Sequence, residues 1–147
     1  MNARIIYAQD DGTIAVVIPT GELSIEEVAA KDVPEGIAFE IVTDGDIPSD
    51  RTFRDAWVIG DGHIDCDLDK CKTIGHAMRR TARAAEFKPY DDVISKQIPG
   101  NDAIAAEVAR QLIRDKYSDI QDAIDAAETP DEIKASLHQV LMARMNP

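Results

Sequence analysis

From Asp67 onward small and apolar residues fall at alternating spacings of three and four, through Leu68, Cys71, Gly75, Met78, Ala82 and Ala85; before it, they gather in short runs broken by turn signals. The first pattern puts side chains on one stripe of a helix, and the second fits strands. The chain is therefore expected to be α+β: a small antiparallel β-sheet head with one short helix, followed by an α-helical C-terminal region. The glycines of Gly60-Asp61-Gly62 punctuate the change and set the expected boundary, a β-rich head over 1–62 and a helical region over 63–147.

Within the head, residues 3–8 and 13–18 flank Asp10-Asp11-Gly12, a hairpin signal because Gly tolerates the positive φ of a tight turn. Ser24 and Glu27 have capping-box spacing, so a helix is expected from Ile25 to about Lys31. Residues 37–42 and 53–59 read as the third and fourth strands. Beyond the head, Pro89 and the Pro99-Gly100 pair predict a loop over 88–102. Ile104, Val108, Leu112 and Ile113 then predict the buried face of a second helix. A separate short helix is expected around 119–127, and Thr129-Pro130-Asp131-Glu132 opens a last one with Ile133, Leu137, Val140 and Leu141 inside.

The charge is uneven. Residues 1–66 hold fourteen acids against four bases, net −10, whereas 67–147 hold fourteen against twelve, net −2. Nucleic-acid affinity rests on Lys and Arg displacing counterions, so no nucleic-acid partner is expected, and the cluster Arg79, Arg80 and Arg83 reads as a solvated helix face. No apolar run approaches the ~20 residues that span a bilayer and no signal pattern opens the chain, so neither a membrane nor export is expected. The aromatic fraction is 5%, which leaves Ile, Val, Leu and Ala to build the core.

Few side chains are arranged for chemistry. His63, Cys66, Cys71 and His76 form H-x2-C-x4-C-x4-H, four ligand types that zinc accepts. On a helix, however, positions five apart diverge, which argues against a shared metal. Asp65, Asp67 and Asp69 open like a calcium loop, but Lys70 stands where Gly is required and His76 where a bidentate Glu is required. Cys66 near a helix start could be a lowered-pKa thiol, yet no orienting third group accompanies it. No cofactor and no catalytic residue is expected, and the cysteines are expected to be reduced thiols.

The blocks Arg4-Ile5-Ile6-Tyr7, Asp11-Gly12-Thr13-Ile14-Ala15-Val16-Val17-Ile18-Pro19, Ala29-Ala30-Lys31-Asp32-Val33-Pro34 and Asp46-Ile47-Pro48-Ser49-Asp50-Arg51-Thr52-Phe53-Arg54-Asp55-Ala56-Trp57 together resemble a family of small proteins of tailed bacteriophages. The helix opening Asp67-Leu68-Asp69-Lys70 and the late stretch 123–134 are similar too, while 88–102 departs from the family, which tends to continue there as helix. The resemblance implies a non-enzymatic structural or assembly protein, a tail-region component located in the virion and, during assembly, in the host cytoplasm. Its partners would be other phage structural proteins and further copies of itself. The residues expected to meet a partner are Leu68, Cys71, Gly75, Met78 and Ala82 on the helical seam, with Arg51, Phe53 and Trp57 in the head. Two other readings stand beside it: an acidic phage-encoded module that regulates or inhibits a host protein, and a small zinc-binding module.

Overall fold

A computed structural model describes residues 2–96, 102–138 and 140. Its contacts divide the chain between Lys70 and Cys71, beyond the boundary expected after Gly62.

The first unit is α+β. Strands β1 (Ala3–Ala8) and β2 (Ile14–Val17) form an antiparallel hairpin, with Ile6 opposite Val16. Its turn is closed by Gln9 N donating to Thr13 O at 2.8 Å, while Gly12 takes φ 87°, a conformation that a Cβ would strain. Helix α1 (Ile25–Asp32) starts at Ser24, whose Oγ accepts from Glu27 N at 3.2 Å. Glu27 completes the cap differently from a capping box: its carboxylate accepts from the Ser24 hydroxyl at 3.0 Å. Strand β3 (Phe39–Thr43) then returns beside β1, antiparallel, giving the order β2-β1-β3.

Both faces of this sheet are covered, because successive strand side chains point to opposite sides. Ile5 and Ile6 are each 0% exposed. Ile5 packs with Val28, Ala29 and Val33 of α1 and its exit. Ile6 packs with Ile14, Val42, Trp57 and Ile64. Burying one such isoleucine is worth roughly 1.5–3 kcal/mol, so β1 anchors two cores at once.

The expected fourth strand over 53–59 is shorter than its sequence suggested. Arg54–Ala56 is a 3-10 turn, and only Trp57–Ile59 is strand β4. Its partner is β5 (Ile64–Cys66), which pairs Trp57 with Cys66 and Ile59 with Ile64 in a separate two-stranded sheet. Gly60-Asp61-Gly62 is thus a hairpin turn, with Gly62 at φ 73° and Gly60 N donating to His63 O at 2.9 Å. A three-residue strand holding one acid carries too little pattern to be read from sequence.

Helix α2 (Leu68–Lys96) begins where Asp67 Oδ1 accepts from Lys70 N at 3.3 Å. It runs through Pro89, where a loop was expected. Lys88 pairs with Asp92 at 3.5 Å and Lys96 with Asp92 at 3.8 Å, and Phe87 is buried, so contacts on both sides of the proline hold the helix. The remaining part of the expected loop, 97–101, lies outside the described residues.

Helix α3 (Ala103–Ala126) is one element where two were expected, since no Gly or Pro interrupts 113–119. Asp102 caps it, accepting from Ile104 N at 2.9 Å. Lys72 and His76 meet Asp125, Glu86 meets Lys116, and Asp91 meets Arg110. One number rises as the other falls, so α2 and α3 are antiparallel. Helix α4 (Pro130–Ser136) starts at Thr129, which accepts from Glu132 N at 3.2 Å, and Glu132 in turn accepts from Glu128 N at 2.6 Å. Ile133 and Leu137 are 0% exposed and Val140 is 5%, as the apolar pattern implies, while Leu141 lies outside the described residues.

Candidate functional site

The residues expected to meet a partner divide sharply. Phe53 and Trp57 are 2% and 1% exposed inside the head, and Cys71 is 0% exposed in the helical unit. Gly75 is covered too: a Cβ there would stand 2.9 Å from Ile133 Cγ2. These four therefore serve packing within the chain, and the missing side chain at Gly75 lets Ile133 of α4 and Ile124 of α3 approach α2. Leu68, Met78 and Ala82 are half-buried, and Arg51 is exposed.

The four residues of the H-x2-C-x4-C-x4-H pattern, against which a shared metal was argued, are engaged separately. His63 and Cys66 belong to the first unit, Cys71 and His76 to the second. His63 Nδ1 lies 2.9 Å from the Asp61 carbonyl and Nε2 lies 3.0 Å from Asp65 Oδ2. Both partners can only accept, so the protonated ring, in which both nitrogens donate, satisfies the pair more fully than either neutral tautomer. The Asp61 carbonyl and then the Asp65 carboxylate accordingly hold the His63 pKa above its ordinary value. His76 Nε2 lies 2.8 Å from Asp125 Oδ1. Among the described residues no group of three or more His, Cys, Asp or Glu could hold a metal ion, and none of their helices is long and apolar enough to cross a membrane.

Two features went unread in the sequence. The stripe expected to be the buried face of α3 is bare: Ile104, Val108 and Leu112 are 78%, 58% and 66% exposed. The face that packs runs instead through Ala106, Tyr117, Ile120 and Ile124. Periodicity alone could not tell these faces apart: Ile104, Val108 and Leu112 recur every four residues and Tyr117, Ile120 and Ile124 every three or four, while Tyr117 carries a hydroxyl that donates a hydrogen bond to the Glu86 carboxylate. Burial and that bond push the Tyr117 pKa well up.

The second is a hollow of about 410 Å³ between α2 and α3, lined by four arginines, Arg79, Arg80, Arg83 and Arg114. Arg80 is exposed, as a solvated face requires, but Arg79 is only 8% exposed. The expectation of a solvated cluster is corrected there: Arg79 falls four residues after Gly75, on the side of α2 that faces α3.

These parts define an α+β protein with a layered acidic head and an antiparallel helical unit bearing one bare apolar stripe and one arginine-lined hollow. Compared with known proteins, the chain matches no family model, no curated protein and no solved structure.

Proposed function

We propose that this chain is a non-enzymatic structural or assembly protein of a tailed phage, a tail-region component whose helical unit pairs with a second copy through Ile104, Val108 and Leu112. The observation that carries the reading is the exposure of that stripe. Apolar residues at i, i+4 and i+8 along roughly 12 Å of helix are a helix-docking surface, and contiguous apolar patches of this kind mark interaction sites. An antiparallel copy would set Ile104 against Leu112 and Val108 against Val108, a self-complementary two-fold contact.

Charge favours the helical half for contact between like copies. With net −10 over 1–66, two heads repel each other, whereas 67–147 carries only −2. The acidic head is then left to dock on a different, basic virion component. The phage setting is supported by the sequence blocks that resemble the phage family, and no catalytic residue comes with that resemblance.

Light scattering coupled to size exclusion tests the pairing, and mass spectrometry of purified particles tests the setting. Wild type should be dimeric or larger, and Val108→Glu should be monomeric with thermal stability changed by no more than about 0.5 kcal/mol, as for a surface site. A strict monomer that is absent from particles would defeat the proposal.

A second reading draws on the head's charge alone: an acidic module that occupies the basic groove of a host protein. It requires salt-sensitive capture of a host protein and normal tailed particles after gene deletion, whereas the assembly reading requires particle formation to fail.

A further inference from the structure

We infer that the hollow between α2 and α3 binds a small phosphate-bearing anion, with the size and charge of inorganic pyrophosphate or the diphosphate group of a nucleotide.

The first reason is uncompensated charge. The chain has 28 acids and only 16 Lys and Arg, so most bases could be paired, yet four arginines line one hollow. Arg114 has Glu107 at 3.0 Å. Among the described residues, Arg79, Arg80 and Arg83 have no carboxylate at ion-pair distance, and Asp125 reaches Arg79 only through His76. A buried cation without a counter-ion is costly, and an anion in the hollow removes that cost. The Arg79 pKa is correspondingly held below its ordinary value, first by burial and then by Arg80 and Arg83.

The second reason is preorganisation. Arg79 Nε donates to His76 Nδ1 at 3.2 Å, which makes Nδ1 an acceptor and leaves His76 Nε2 to donate to Asp125 Oδ1 at 2.8 Å. That relay holds the guanidinium by one edge, and its Nη groups have no hydrogen-bond partner among the described residues. Arg83 lies over the Phe87 ring at 4.5 Å from its centroid, with Arg114 at 5.9 Å from the same ring. Guanidinium forks fixed in this way match the paired oxygens of a phosphate, and little ordering entropy remains to be lost on binding. Ser118 and Gln121, one turn apart on α3, add neutral donors to the lining.

The size and surroundings select the anion. About 410 Å³ admits a diphosphate and its waters. A nucleic-acid backbone is repelled by a net charge of −12 and needs an extended basic surface, whereas a small anion needs only the local field.

The test is a titration of the full chain with pyrophosphate, phosphate and chloride at matched ionic strength, followed by calorimetry and thermal melting. Pyrophosphate should bind saturably and raise the melting temperature more than phosphate, with chloride inert. Arg83→Gln and Arg80→Gln should each weaken pyrophosphate binding by about tenfold or more, the loss of one charge-assisted contact, while Arg4→Gln in the head changes nothing. Because Arg79→Met alters a buried position, the exposed Arg80 supplies the deciding variant. Equal responses to pyrophosphate and chloride would overturn the inference, as would wild-type affinity in the Arg80→Gln, Arg83→Gln double variant. Tighter binding of a single-stranded oligonucleotide than of pyrophosphate would also overturn it.

Discussion

Ile133 of α4 rests against Gly75 of α2 so closely that a methyl group at position 75 would stand 2.9 Å from its Cγ2. Leu137 Cδ1 and Ile124 Cδ1 follow at 3.6 and 3.7 Å. Glycine is the weakest helix former after proline, so its place inside α2 is explained by this approach of α4 and α3.

Gly75→Ala should therefore destabilise the protein although alanine favours helix by about 1 kcal/mol. Overpacking costs roughly 1–3 kcal/mol, and Ile133, β-branched and fully buried, has little χ1 freedom with which to move Cγ2 aside. A net loss of about 1 kcal/mol is expected in denaturant unfolding. In a double-mutant cycle, Ile133→Ala should cost less in the Gly75→Ala background than in wild type. Additive costs would mean that the two residues do not touch.

Pro89 stands exposed inside α2 and gives no N–H to the carbonyl one turn back. Pro89→Ala should stabilise the chain by about 2 kcal/mol, the cost of an interior proline less its restriction of the unfolded chain. Urea unfolding measures this. A gain under about 0.5 kcal/mol would show that no helix runs through position 89 in solution.

The clip across the β4–β5 turn titrates. The His63 pKa is raised from 6.5 in the folded chain, so the folded state holds its proton more tightly than the unfolded state does. Its contribution is complete below the unfolded value and is lost as pH rises through the higher folded value. The stability difference between wild type and His63→Gln should therefore be largest in mild acid and shrink above neutrality. A difference that grows with pH would remove the imidazolium from the clip.

The two thiols should differ. Cys71 is 0% exposed, while Cys66 is partly exposed on β5. A thiol reagent should modify Cys66 in the native protein and reach Cys71 only when the helical unit opens, at a rate that denaturant accelerates. Equal rates for both would contradict the buried seam around Gly75.

Local chemistry was legible wherever a few neighbouring residues suffice. The Gly12 turn, the strands that flank it and the Ser24 and Thr129 caps each follow from short-range geometry, and all appear in the fold. Pro89 misled for the same reason: its local preference is to break the helix, but a helix with contacts on both sides outlasts one missing bond.

The amino-acid order settled the division into a strand-rich and a helical part, because hydrophobic period is a property of each segment alone. Which stripe of α3 is buried, and that Arg79 faces a hollow instead of water, were decided only when α2 and α3 met. Both helices offer more than one face with acceptable spacing, and the choice depends on shape and hydrogen-bond partners contributed by another element. Glu86 for Tyr117 and His76 for Arg79 are such partners, and no pattern within α3, or within the arginine cluster itself, announces them.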